Sequence, residues 1–411
     1  MKKLLSLTLV AAMTMSLLAG CAGSGNADNT DANAGTETTT AADGTDSTAE
    51  TAAADGETFK IGGIGPITGG AAVYGIAVKN GIELAVKEIN EAGGINGYQI
   101  EYNFQDDELD NEKSVNAYNS LKDWGMNILV GSVTSGCCIA VAAESQNDNM
   151  FQVTPSGSSV DCINGNENVF QICFTDPNQG VGAAQYIGEN NVASKVAVIY
   201  DSSDVYSSGI YAKFAEEAAN QSFEIVSTES FTADNKTDFS VQLAKAQEAG
   251  AELVFLPIYY TEASLILKQA DSMGYAPKFF GCDGLDGILG VENFDTALAE
   301  GVMLLTPFAA DAQDDATKSF VSAYEAAYGE TPNQFAADAY DAVYVIKAAA
   351  EQCGATPADG VSGICDKMKV AMTEITVDGL TGAGMSWAAD GTVNKAPKAM
   401  EIKNGEYSLI Q

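Results

Sequence analysis

The sequence predicts an α/β protein built as two doubly wound lobes, each a parallel sheet with helices on both faces. Three observations lead there. Short buried β-rich runs alternate with amphipathic helical stretches, and no run of strands stands alone. The alternation runs through one series, then restarts near residue 195. The chain has 411 residues, 46% of them hydrophobic, which suggests two cores at roughly 100–200 residues per domain.

The first series opens with a strand at Phe59 to Ile64, a turn at Pro66 and a helix reaching about Glu91. That helix carries Val78, Ile82, Ala85 and Ile89 on one face. Ala92-Gly93-Gly94 stops it. A strand at 99–104, a helix at 112–124, a strand at 127–130 and a helix at 138–147 follow. The second series places strands at 195–200, 223–227, 253–257 and 278–280, with helices at 207–220, 239–249 and 262–273. After Pro307 come three helices, at 312–328, 334–351 and 362–373. The tail at 383–410 reads as short strands and turns.

The N-terminus reads as an address. Met1-Lys2-Lys3 is a positive start, and Leu4 to Ala19 is an apolar run of sixteen residues. This is short for a membrane-spanning helix, which needs about 20, and it fits a secretory signal over 1–20. Leu18-Ala19-Gly20-Cys21 resembles a bacterial lipobox, which implies cleavage before Cys21 and lipid attachment to it. Residues 22–57 hold eight acids, no Lys, no aromatic and no aliphatic residue larger than Ala. Such a segment cannot bury enough apolar surface to fold. It is expected to act as a linker reaching roughly 30–35 Å. The expected location is extracytoplasmic, lipid-anchored at a cell surface or in a periplasm.

Composition excludes several chemistries. There are 56 acidic residues against 20 basic ones, all Lys, and no His or Arg. A Ser-His-Asp or Cys-His mechanism and a His-ligated zinc each need an imidazole. An arginine clamp on phosphate is impossible. A net charge of −36 opposes nucleic-acid binding. There is no GxSxG, SxxK, P-loop, EF-hand or C-x-x-C pattern. No enzyme, cofactor or metal is expected. A carboxylate-pair glycosidase stays open on composition alone.

In open parallel sheets, ligands bind outside the carboxyl ends of the strands. That directs attention to 65–74, 131–138, 154–159, 201–209 and 258–286. Ser135 begins a helix after a strand, so a helix N-terminus points to the same region. Ser156 and Ser158 lie just past another strand. Helix-capping and turn chemistry would also place serines there. Without Arg, a bound carboxylate must be met by hydroxyls and backbone N–H groups.

The stretch IGGIGPITGGAAVYGIAVKNGIELAVKEINEAGGINGYQI at 61–100 is similar to the N-terminus of branched-chain amino-acid-type substrate-binding proteins of ABC importers. The runs VTPSGSS at 153–159, Asp176 to Gly180, and PNQFAADAYDAVY at 332–344 resemble the same family. The resemblance implies a type I periplasmic-binding-protein fold with a three-crossover hinge. Lobe I would then take 58–177 and 307–376, and lobe II 178–306 and 377–411. It implies capture of an amino acid, neutral aliphatic or branched-chain, by a monomer that serves the transmembrane subunits of an ABC permease. The alternative is a receptor of the same fold for another metabolite, such as an amide or an aromatic acid.

The resemblance also assigns roles. Ser135, Ser156 and Ser158 would hold the ligand carboxylate and share its ammonium. Asp283 takes the place of an ammonium-binding Glu, one methylene shorter, so the ligand sits deeper or is bridged by water. Asp286 is the neighbouring alternative. Tyr74 would cover the ligand from lobe I, and Tyr206 and Tyr259 would contact it from lobe II. Tyr340 and Asp341 lie on a helix facing the family's cleft. With Cys21 assigned to lipid, seven cysteines remain. Cys353 with Cys365 is one expected disulfide, and Cys138 (or Cys137) with Cys162 another. The Cys found before the serine in leucine-type members is Thr134 here, so the familiar bridge is absent.

Overall fold

The computed structural model describes residues 56–410. The expected signal segment, Cys21 and nearly all of the linker lie outside the described residues. Among the described residues, no helix is long and apolar enough to cross a membrane.

The first lobe begins with β1 (Phe59–Gly65), α1 (Ala72–Glu91), β2 (Ile100–Asp106), α2 (Asn111–Trp124) and β3 (Ile128–Val130). It continues with α3 (Ser135–Asp148), β4 (Phe151–Thr154) and β5 (Val169–Gln171). The sheet order is β2-β1-β3-β4-β5, with every pairing parallel. β3 and β4 are buried throughout, as strands covered on both faces must be. The chain turns cleanly after α2 because Gly125 adopts a positive φ, and Met126 N–H returns to the Leu121 carbonyl at 3.0 Å.

The second lobe runs from α4 (Asp176–Glu189) through β6 (Lys195–Asp201), α5 (Val205–Ala218), β7 (Glu224–Phe231) and α6 (Ser240–Glu248). β8 (Leu253–Leu256), α7 (Tyr260–Ser272), β9 (Lys278–Gly281) and β10 (Met303–Thr306) follow. Then α8 (Asp315–Tyr328), α9 (Gln334–Cys353) and α10 (Gly360–Met372) return to the first lobe. There α9 packs on α1, and α10 packs on α9 and β4. Finally β11 (Lys398–Lys403) and β12 (Glu406–Leu409) join the second sheet as antiparallel strands, giving the order β12-β11-β10-β9-β8-β6-β7. The α/β class and the two restarting series match the sequence expectation. The helix α4, the strand β10 and the three-residue β5 were not anticipated.

Two expectations need correction. The segment 377–395 belongs with the first lobe rather than the second. Trp387 Nε1 donates to the Gln171 carbonyl at 2.7 Å, and Gln171 N–H donates to Gly391 O at 3.0 Å. Asp341 accepts from the Leu380 and Thr381 N–H groups, both at 2.9 Å. Lys395 pairs with Asp338 at 2.9 Å, fully buried. The third crossover therefore falls just after Lys395, where the chain leaves these partners for β11.

The disulfides are the second correction. All seven described cysteines are free thiols. Cys353 ends α9 half-buried, its Sγ donating to Ala350 O at 3.7 Å, whereas Cys365 is buried among the apolar side chains of the core. The Cys138 and Cys162 thiols do touch, but Cys162 Sγ donates to Ser135 O at 3.7 Å and the two stay separate. Cys137 turns toward Asp107 instead.

Candidate ligand-binding site

The carboxyl ends of both sheets face each other across the interlobe cleft. Tyr74, Val133, Thr134, Ser135, Ser156, Tyr206, Tyr259, Asp283, Gly284 and Phe335 surround a cavity of about 10 Å³ there. That is room for about one water. A larger cavity of about 480 Å³ shares Thr134 and Tyr259 with it and is bordered by Asp201, Asp204 and Glu262.

Donors come from the first lobe. Thr134 is the N-cap of α3 but makes no side-chain cap bond, and no acid stands in the first turn. The leading N–H groups of α3 therefore keep their donor capacity and the positive end of the helix dipole. Ser135 is buried, its Oγ accepting from Ser159 N–H at 3.2 Å, which leaves its hydroxyl proton free to donate. Ser156 lines the cavity while its hydroxyl donates to Val133 O at 2.7 Å. Ser158 does not line the cavity. Its buried hydroxyl lies beside the Asp176 carboxylate with no partner at bonding distance.

The acceptor comes from the second lobe. Asp283 follows β9 and is buried. Tyr206 Oη donates to its Oδ1 at 2.7 Å and itself accepts from Gly284 N–H at 2.9 Å. The Gln179 side-chain carbonyl accepts from Asp283 N–H at 3.1 Å. Burial pushes the Asp283 carboxyl up to about 7, with the bond from Tyr206 and the neighbouring Gln179 amide opposing. Asp204, behind Tyr259, is pushed up to about 6 by burial. Burial also raises Asp176 well above the carboxylate range. The inner cleft thus gathers carboxyls that gain from an arriving cation.

Aromatic rings complete the enclosure. Tyr206 stacks on Tyr259 with centroids 5.0 Å apart, and Tyr74 meets Tyr259 edge-on at 5.6 Å. Phe335, at the start of α9, packs against Tyr74 at 4.3 Å and lines the cavity. It was not among the expected site residues. Tyr340 and Asp341, expected near the cleft, lie elsewhere. Tyr340 donates to Glu88, and Asp341 anchors the Leu380–Thr381 turn.

The lobes touch directly over this site. Tyr74 Oη donates to Gly284 O, Val73 N–H donates to Tyr260 Oη at 3.1 Å, and Thr261 Oγ1 donates to Gly70 O at 2.6 Å. Gln334 Nε2 reaches Asp283 O at 2.8 Å. Donors on one side, a carboxylate on the other and rings between them suit a small zwitterion with an apolar body.

Two α/β lobes closing over such a site define a bilobed ligand-binding protein. Residues 58–406 match the family described as Periplasmic binding protein, and the chain belongs to that family. It is 34% identical over 302 residues to the Leu/Ile/Val-binding protein homolog 3 of Brucella melitensis, covering 72% of this chain and 79% of that one. It is 29% identical over 299 residues to the leucine-, isoleucine-, valine-, threonine- and alanine-binding protein of Pseudomonas aeruginosa, covering 72% and 79%. The crystal structure of the branched-chain amino acid transporter substrate binding protein of Streptococcus pneumoniae, in complex with isoleucine, superposes with a TM-score of 0.78. That structure is 31% identical, over 86% of this chain and 99% of that one. The fold is that of the type I periplasmic binding proteins.

Proposed function

We propose that this protein is an extracytoplasmic solute-binding protein that captures a neutral aliphatic or branched-chain amino acid and delivers it to an ABC permease. One observation carries the reading. Across a ring of Tyr74, Tyr206, Tyr259 and Phe335, Asp283 opposes Ser135 and the uncapped start of α3. The ligand carboxylate takes the Ser135 hydroxyl and the α3 N–H groups; the ammonium takes Asp283 and the Ser156 hydroxyl oxygen, whose own proton goes to Val133 O. The Ser158 hydroxyl and the Asp176 carboxylate, both short of partners, form a reserve of polar groups behind the serine loop. The relative with isoleucine bound, at 31% identity, supports the substrate class.

The mechanism is hinge closure about the three crossovers. A cavity of about 10 Å³ is too small for an amino acid, so the ligand enters with the lobes apart and then bridges them. Bridging favours the closed form by the ligand's differential affinity for it. The closed form is what the permease transmembrane subunits receive. The protein acts as a monomer, returns its ligand chemically unchanged, and is held to the membrane by lipid on Cys21 through the acidic linker.

Calorimetry with a panel of the amino acids tests the reading. Leucine, isoleucine or valine is expected to bind, and Asp283→Ala is expected to weaken that binding by about 30-fold to several-thousand-fold, as for a buried cation losing its partner. Absence of a thermal shift with every amino acid would overturn the substrate class. Unchanged affinity in Asp283→Ala would overturn the site assignment.

A further inference from the structure

Among the described residues, Lys395 is the one buried lysine. Its ammonium donates to Asp338 Oδ1 at 2.9 Å and to Thr381 Oγ1. Asp341, the neighbouring buried acid on α9, is already served by the Leu380 and Thr381 N–H groups and by the Thr381 hydroxyl. Asp338 is thus the acid that depends on Lys395. Stability alone does not call for such a pair. Two charges taken out of water give up much of their attraction as lost hydration, and an apolar pair of similar volume serves a core as well. What the ion pair adds is direction, because an ammonium between two fixed acceptors holds its stretch of chain in one place.

That place is where the chain leaves the first lobe for the last time. Two residues on, the Pro397 ring packs against α4 of the second lobe, its Cγ 3.3 Å from where a Cβ on Gly182 would stand. Lys398 already pairs with Thr306 in the second sheet. Ala396, between them, is held extended by the proline that follows it. The third crossover is therefore short, bonded to α9 at one end and wedged on α4 at the other. On α9, Asp338 stands one turn beyond Gln334, about 6 Å along the helix axis. Gln334 Nε2 is the group that reaches Asp283 O across the lobes at 2.8 Å, and Phe335 beside it lines the amino-acid site. One helix carries both the anchor of the crossover and the contacts that closure must bring into register.

We propose that Lys395 is a positioning residue for ligand capture. By fixing the third crossover to Asp338, it sets the pivot about which the second lobe closes, so that Asp283 returns to one depth opposite Ser135. The inference rests on the closure mechanism proposed above. Lys395 touches no ligand. It narrows the set of lobe orientations open to the empty protein, and a narrower set leaves less freedom to be lost on capture.

The test compares the wild-type chain with the double variant Asp338→Leu/Lys395→Met, which removes both charges and keeps the site filled. Lys395→Met alone would strand a buried carboxylate and report mainly on folding. The double variant is expected to melt cooperatively, within a few degrees of wild type. Its leucine affinity, by calorimetry, is expected to fall about tenfold. Small-angle scattering of the ligand-free chain is expected to show a larger maximum dimension than wild type. A pair that served the core alone would leave affinity and scattering unchanged once the melt is restored. Leucine affinity within about twofold of wild type, unchanged ligand-free scattering, or a double variant that does not fold would each overturn the proposal. If the wild-type chain fails to bind leucine, the amino-acid reading falls. The ligand-free scattering then decides the pivot by itself, a larger dimension in the double variant supporting it and an equal one overturning it.

Discussion

Asp283 links the chemistry of the site to pH in two opposite ways. Burial raises its carboxyl to about 7, and raises Asp286, Asp204 and Asp107 to about 6. In the unfolded chain these groups titrate near about 3.9. Their folded-state values lie above the unfolded ones. The stability they contribute is therefore full below about 4 and is lost as pH rises through about 6–7. The melting temperature of the ligand-free protein should rise as pH is lowered from about 8 to about 5, read by scanning calorimetry. A fall over that window would mean that these carboxyls are not held as described. Leucine binding should run the other way, because an ammonium needs the ionised Asp283. Affinity should drop about tenfold for each pH unit below about 7, with uptake of leucine releasing a proton. At this scale the sequence was informative about which residues share one place in the fold. Tyr74, Ser135, Ser156, Tyr206, Tyr259 and Asp283 all reach one cavity. Ser158 shares the same loop but points behind it, an orientation that spacing does not encode. Phe335 reads in the sequence as one more apolar residue of a helix, and only the packing of α9 on Tyr74 brings it to the site.

Elements were legible in proportion to their periodicity. Most of the long helices and several buried strands stand close to where the pattern puts them, whereas α4 and the buried β10 were not anticipated. The short β5 and the irregular 377–395 segment have no periodic signal, and their placement depends on hydrogen bonds to Gln171, Asp338 and Asp341. The packing of α9 on α1 offers a direct check. A Cβ built at Gly81 would stand 2.2 Å from the Ala336 carbonyl oxygen. Backbone cannot yield as a side-chain tip can, so Gly81→Ala should force the helices apart. We expect a loss of about 1–3 kcal/mol, seen in denaturant melts followed by circular dichroism. A midpoint raised by the roughly 1 kcal/mol of helix propensity alone would mean that α1 and α9 do not approach this closely. The helix-propensity gain of replacing a mid-helix glycine by alanine, about 1 kcal/mol, works against the effect and does not cancel its upper range.

At the scale of the molecule, closure rests on a few bonds between lobes. Tyr74 Oη donates to Gly284 O and accepts from Tyr260 N–H at 3.3 Å. Tyr74→Phe keeps the ring and orphans both backbone groups, at a cost of about 1–3 kcal/mol to the closed form. Leucine affinity should fall by about 5- to 150-fold, and small-angle scattering should report a more open particle at equal ligand saturation. A weaker affinity with unchanged scattering would assign Tyr74 to ligand contact alone.

The rings and interlobe bonds that seal the inner cavity also act on time. A ligand enclosed by Tyr74, Tyr206, Tyr259 and Phe335 has no route out while those contacts persist. Its dwell time is then set by how often the lobes part, not by the strength of any single bond to serine or aspartate. Variants at the crossovers would alter residence without touching the ligand. A receptor built this way hands over its cargo quickly only to a partner that prises the lobes open, and otherwise keeps it.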